Sequence, residues 1–167
     1  MGNDFILEFD FDKRNEWKIL RKSILFYIGT LLGFLYFLIT REKLGLYLGF
    51  GFLLVIISQL VLHFQYRLND RNKKITVNHS QLTVRVDKKG KTVKEFQFKE
   101  IDKIVRHKSQ NNENNMTYAL PPFFYNYTEI ILVDGQKIIF TDFLTKSLGI
   151  KDVESSEKLS LFNLIRN

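Results

Sequence analysis

The chain has 167 residues, 25 Lys and Arg against 18 Asp and Glu for a formal net charge of +7, and no cysteine. That length holds one helical hairpin and one domain of about 95 residues, with no room for a second soluble domain. Without cysteine there is no disulfide, thiolate nucleophile or thiolate metal site, which suits a reducing compartment.

The first element is a strand. Phe5, Leu7, Phe9 and Phe11 alternate with Ile6, Glu8, Asp10 and Asp12, a period of two with one strongly apolar face. Its acidic face is a poor match for an anionic leaflet, so it is expected to pair with the C-terminal domain. Residues 1–20 form this strand and an amphipathic lead-in.

Two apolar runs follow, 24–39 and 44–64, separated only by Thr40-Arg41-Glu42-Lys43 and free of Lys, Arg, Asp and Glu. About 20 mostly apolar residues cross a bilayer, with about 17 as the lower limit, so the spacing predicts a transmembrane hairpin over 21–66 with helices at about 22–39 and 44–65. Leu38-Ile39-Thr40-Arg41 lacks the small residues of a signal-peptide cleavage site. A surface helix would show a polar face every 3.6 residues, and the second run shows none. Lys and Arg flank the outer ends of both runs, with only Arg41 and Lys43 between them, which predicts a multi-pass protein with two spans and both termini cytoplasmic. Trp17, Tyr27, Tyr66 and Tyr47 are expected at the interfaces. Counting depth from the loop sets Gly33 level with Gly49 and Gly51, where the backbones would approach closely; the GxxxG spacings Gly29/Gly33 and Gly45/Gly49 also allow a homo-oligomer. Ser58, Gln59 and His63 lie toward the inner end, where a hydrogen bond across the hairpin or contact with water accounts for them.

From residue 73 the pattern changes to strands. Ile75 and Val77, then Leu82, Val84 and Val86, alternate with polar residues around a turn at Asn78-His79-Ser80-Gln81, and Asp87-Lys88-Lys89-Gly90 is a break. Residues 93–98 supply a third strand, with Ile101, Ile104 and Val105 continuing as a turn and a further strand; 111–115 is a loop by composition. Residues 127–133 and 137–141 flank Asp134-Gly135, a dipeptide favoured where both central turn residues have positive φ. The last segment, 156–165, has Leu159, Phe162 and Ile165 at helical spacing, and its shortness leaves a strand open.

Two candidate surfaces stand out in this domain, residues 73–167. Basic residues are concentrated over 85–108, and Arg85, Lys88, Lys89, Lys91 and Lys94 around the Lys89-Gly90 turn are placed to meet anionic headgroups. Pro121, Pro122, Phe123, Phe124 and Tyr125 form an aromatic cluster suited to a protein partner. Nucleic acid is excluded as a partner because the aromatics fall in apolar strand faces instead of interleaving with lysines. His63, His79 and His107 are dispersed, and HExxH, GxSxG and P-loop motifs are absent. No catalytic, cofactor-binding or metal-binding residue is expected.

The twin runs with their short loop, the 75–86 hairpin, the passage Phe96-Gln97-Phe98-Lys99-Glu100-Ile101-Asp102-Lys103-Ile104 and the 130–140 hairpin together resemble the bacterial PH-like membrane proteins, including the YcxB-like group. The resemblance covers most of the chain and implies a membrane-anchored α+β protein: a two-helix transmembrane hairpin followed by a small antiparallel PH-like β domain, to which the spacing of the last segment adds either a C-terminal helix or a strand. It implies no reaction and carries over no catalytic residues. The expected function is an interaction or scaffold module at the cytoplasmic face, partnered by the bilayer and by a membrane or cytoplasmic protein; the alternative is a sensor of anionic lipid or a small ligand using the basic turn.

Overall fold

The computed structural model describes residues 5–40, 43–109, 125–150, 153–160 and 164–165. Strand β1 (Ile6–Asp10) leads into two 28-residue helices, α1 (Lys13–Thr40) and α2 (Lys43–Asp70). Strands β2 (Lys73–Asn78), β3 (Thr83–Lys88), β4 (Lys91–Gln97), β5 (Ile101–Ser109), β6 (Tyr127–Leu132), β7 (Lys137–Thr141) and β8 (Ser155–Ser160) follow. They form two four-stranded sheets, ordered β1-β2-β3-β4 and β7-β6-β5-β8.

The alternation seen in the sequence is what builds the core. Ile75, Val77, Val84, Val86 and Phe96 on one sheet face Ile101, Ile130, Leu132 and Phe140 on the other, all buried, and Leu7 and Phe9 of β1 pack at the edge of this cluster. Strand β1 runs antiparallel to β2 with Leu7 opposite Val77 and Phe9 opposite Ile75. The first sheet therefore unites chain segments from before and after the helices.

The helices are longer than the expected 22–39 and 44–65. Asp12 caps α1 by accepting the Arg14 N–H at 2.7 Å, which starts the helix at Lys13. At the other end, Leu62, Tyr66 and Asp70, spaced four apart and thus on one helical face, are at most 1 % exposed. They hold the last turns of α2 against the second sheet. Tyr66, expected at a membrane interface, is instead a core residue: its ring lies 5.2 Å from Tyr125, 6.0 Å from Phe143 and 6.3 Å from Tyr127.

Three further expectations change. The C-terminal segment is a strand where it is described: β8 pairs parallel to β5, Ile104 opposite Ser155 through Ser109 opposite Ser160, so the domain is not wholly antiparallel. A ten-residue helix is marginal alone, whereas the free edge of β5 offers a full ladder; Phe162 lies outside the described residues. At Asp134-Gly135 only Gly135 has positive φ, 81°. Its N–H bonds Leu132 O at 2.8 Å, the three-residue loop that ends in a left-handed glycine. The turn with two positive φ values is Lys89-Gly90, at 53° and 74°, between the paired Lys88 and Lys91.

Within the hairpin, a β-carbon at Gly49 would run into the Phe34 ring and one at Gly45 into Phe37, while Gly33 and Gly51 have nothing within 4 Å of that position. Phenylalanines from α1 fill the glycine notches of α2. Close approach is thus ring against backbone, and the backbone-to-backbone contact of Gly33 with Gly49 and Gly51 is not formed.

Candidate functional site

The helices and the β domain meet at a junction built from polar groups on three separate elements. Gln59 of α2 lies at the buried centre and donates from Nε2 across the hairpin to Ser23 Oγ of α1 at 2.9 Å. The same nitrogen faces the hydroxyl of Tyr125 at 3.5 Å. Tyr125, on the approach to β6, is fully buried, and burial pushes its hydroxyl well above the usual phenol range. It therefore stays protonated and donates to His63 Nδ1, 3.1 Å away. That fixes the imidazole tautomer, because the other nitrogen must then carry the proton it shares with Glu16 Oε1 at 3.0 Å. Arg67 Nε stands 3.5 Å from the same carboxylate oxygen. The bonds diverge from Gln59, to Ser23 on one side and through Tyr125 and His63 on the other, and end on Glu16, which Arg67 also faces.

A second clamp lies one turn further on. Asp70 ends α2, where the helix dipole disfavours a carboxylate, yet it is completely buried. Its cost is offset by donors: Thr141 supplies N–H and Oγ to Oδ2, and Asn69 Nδ2 reaches Oδ1 at 2.7 Å. Lys73 Nζ donates to Ile139 O at 2.7 Å and lies 3.9 Å from Asp70. Burial pulls the Lys73 ammonium below the usual lysine range, against the opposing pull of Asp70.

Beside these clamps opens a cleft of about 720 Å³ where β1, both helix ends, β2 and the β3–β4 turn converge. Its lining carries six cations, Lys13, Arg67, Arg71, Lys73, Lys74 and Lys89, against the carboxylates of Asp10 and Asp87. Arg85 reaches Asp87 at 2.9 Å and holds its carboxyl below the usual range. Lys74 pairs with Glu8 at 2.8 Å, which raises its ammonium above the usual range.

The basic residues singled out from the sequence do not form one patch. Lys88, Lys89 and Lys91 are exposed at the turn, and only Lys89 lines the cleft. Arg85 is held by Asp87, while Lys94 is drawn to the β6–β7 turn, 2.7 Å from Gln136 and 3.7 Å from Asp134. Of the aromatic cluster, Pro121, Pro122, Phe123 and Phe124 lie outside the described residues, and Tyr125 is a buried junction residue instead of an exposed one. Glu16 and His63 were not singled out as a pair, because 47 residues separate them. The cleft cations before and after the helices were visible only as charges flanking apolar runs. Among the described residues no group of three His, Cys, Asp or Glu side chains could hold a metal ion.

No curated protein and no solved structure matches the chain significantly. Comparison with protein families matches residues 8–152 to a PH domain. That match takes in the last three residues of β1, both helices and β2 to β7. The chain belongs to the PH-domain family, whose members are typically non-catalytic.

Proposed function

We propose that this protein is a membrane-anchored PH-domain interaction module of the YcxB-like kind, with α1 and α2 crossing the bilayer as a hairpin, both termini cytoplasmic, and a β domain that holds a protein partner at the inner face without catalysing a reaction. The observation that carries the reading is the contrast along the helices. Both are long and apolar enough to span a membrane, and only 6 % and 17 % of their apolar windows are buried by the rest of the chain. A core helix would be mostly covered. Leu31, Leu32, Ile39, Leu54 and Phe64 are each more than half exposed, a continuous apolar surface far beyond what a soluble monomer leaves in water. Yet the opposite end of the same helix pair is fastened to the β domain, Gln59, His63 and Tyr66 through Tyr125 and Asp70 through Thr141.

The chain's lack of cysteine makes the test direct. Single cysteines at Lys43→Cys, beside the hairpin loop, and Gln81→Cys, in the β2–β3 turn, are probed in intact cells with a membrane-impermeant maleimide. Labelling of the first alone is expected, and labelling of the second only after lysis. Gln81→Cys labelled from outside would overturn the orientation, and recovery of the full-length protein in the soluble fraction would overturn the anchor.

A second reading, a sensor of anionic lipid or a small anion, draws on the cleft. The β3–β4 turn alone does not supply it, since Arg85 and Lys94 are engaged elsewhere.

A further inference from the structure

We propose that the pocket filled by Ile165, between α2 and the second sheet, is a docking site for a non-helical peptide segment with an aliphatic side chain. The chain's own residue holds it here, and a segment of the same kind from a protein partner takes its place; this deepens the interaction-module reading and rests on it. Gln65 lies half-buried on α2. Its Nε2 donates to Ile165 O at 2.7 Å, and its Oε1 accepts the Ile165 N–H at 3.3 Å. One side-chain amide thus takes up both main-chain groups of a single residue, a contact that reads backbone and not side-chain identity. A residue inside a helix already pairs those groups within the helix, so the site selects an open segment. Identity enters through the side chain: Ile165 is 7 % exposed, packed against Leu62, Tyr66, Tyr125, Tyr127, Ile139 and Phe143. A charged side chain would lose its water among these rings and aliphatic groups.

The hold on the chain's own segment is separable from the rest of the fold. Strand β8 joins β5 in parallel, the less stable pairing per residue. Its Glu157, Lys158 and Leu159 are exposed, and no β8 residue belongs to either buried core. Leu159 and Leu164 stay 50 % and 47 % exposed, which leaves Ile165 as the one apolar side chain beyond β7 and its following loop, among the described residues, that enters a core. The ion pair of Glu157 with Lys108 opposes release, but it is partly exposed and adds little. A segment attached by backbone bonds and one buried side chain belongs to the low-stability end of a fold. It leaves the pocket without opening the cluster between the two sheets, and the pocket it vacates touches anchor helix and β domain at once.

The probe is a fluorescent synthetic peptide of residues 155–167, followed by anisotropy with the full-length protein in an uncharged detergent. Ile165→Ser empties the pocket and is expected to bind the peptide about tenfold or more tightly than the wild type, whose own residue competes. Adding Gln65→Met is expected to weaken that binding by about tenfold. A peptide carrying Ile165→Val is expected to bind, and one carrying Ile165→Asp to show no binding. Equal affinity of the wild type and Ile165→Ser, of Ile165→Ser with and without Gln65→Met, or of the Val and Asp peptides, overturns the site. Should Ile165→Ser fail to fold, hydrogen exchange in the wild type decides: excess peptide is expected to speed exchange of the protein's own segment around residue 165 by about threefold or more, and unchanged exchange overturns the proposal. A wild type that runs as a dimer, and as a monomer with Ile165→Ser, assigns the pocket to a second copy and overturns the separate partner. None of these readouts needs a bilayer, so a negative result removes this pocket and leaves the anchor to the cysteine labelling, while failure of the anchor there leaves the peptide result standing.

Discussion

Asp70, the last residue of α2, receives both the backbone N–H and the hydroxyl of Thr141, at 3.0 Å and 2.5 Å, so the end of the helix is fixed to the end of β7 by two charge-assisted bonds on one carboxylate oxygen. Thr141 is itself fully buried. Replacing it with Val keeps the shape and removes one donor to a buried anion, and the full-length protein in detergent is expected to lose about 1.5–3 kcal/mol of stability. Thr141→Ser, which retains the hydroxyl, is expected to recover most of it. Equal melting temperatures for Val and Ser variants would show that the hydroxyl bond contributes nothing.

Tyr125→Phe removes the hydroxyl that stands between Gln59 and His63. His63 Nδ1 is then left without its donor in a half-buried site, and a loss of about 1–3 kcal/mol is expected. A double-mutant cycle with His63→Phe separates the bond from the packing of the two rings, which lie 6.1 Å apart. Strict additivity would exclude coupling between them.

Gly49→Leu places a side chain where the Phe34 ring already sits, whereas Gly33→Leu meets nothing within 4 Å. The first is expected to destabilise the hairpin by about 1–3 kcal/mol, as overpacking does, and the second to leave the thermal unfolding curve unchanged. A reversed ranking in detergent unfolding would refute this helix packing.

His107 on β5 stacks on Tyr127 with ring centroids 4.2 Å apart and lies 3.4 Å from Glu129. Burial lowers its imidazole below the usual range and outweighs the raising effect of Glu129. A base whose folded pKa is depressed binds fewer protons folded than unfolded, so its contribution to stability is present above the unfolded value and is lost as pH falls through the folded one. The β domain should weaken as pH falls from about 6.5. His107→Gln is expected to flatten that acid limb, and a limb of unchanged slope in melts from pH 7.5 to 5 would count against it.

The strands were legible because each carries its burial in its own sequence: Ile75 and Val77, or Val84 and Val86, announce a face by spacing alone, and Lys89-Gly90 and Asp134-Gly135 mark the reversals. The helices were legible for the same reason, through unbroken apolar runs. Their ends were not, since the last turns of α2 owe their helical state to Tyr66 and Asp70 being packed on strands that come about 70 residues later. The junction was illegible in a stronger sense. Gln59 reaching Ser23 agrees with a bond across the hairpin, but its further links to Tyr125, His63 and Glu16 join positions 47 to 66 residues apart with no period that could tie them together. Tyr125 misled because its aromatic neighbours in the chain suggested an exposed surface, whereas three dimensions surround it with Tyr66, His63 and Phe143.

Because β1 precedes both helices and its partner β2 follows them, the first sheet closes only when the helical hairpin has brought the two chain segments back together. During synthesis β1 emerges first and must wait through the whole hairpin for Ile75 and Val77. Under the proposed reading of the hairpin as a membrane anchor, a molecule with one helix uninserted would hold Leu7 and Phe9 away from β2 and leave that strand edge unpaired, so that completion of the sheet would depend on insertion of both helices.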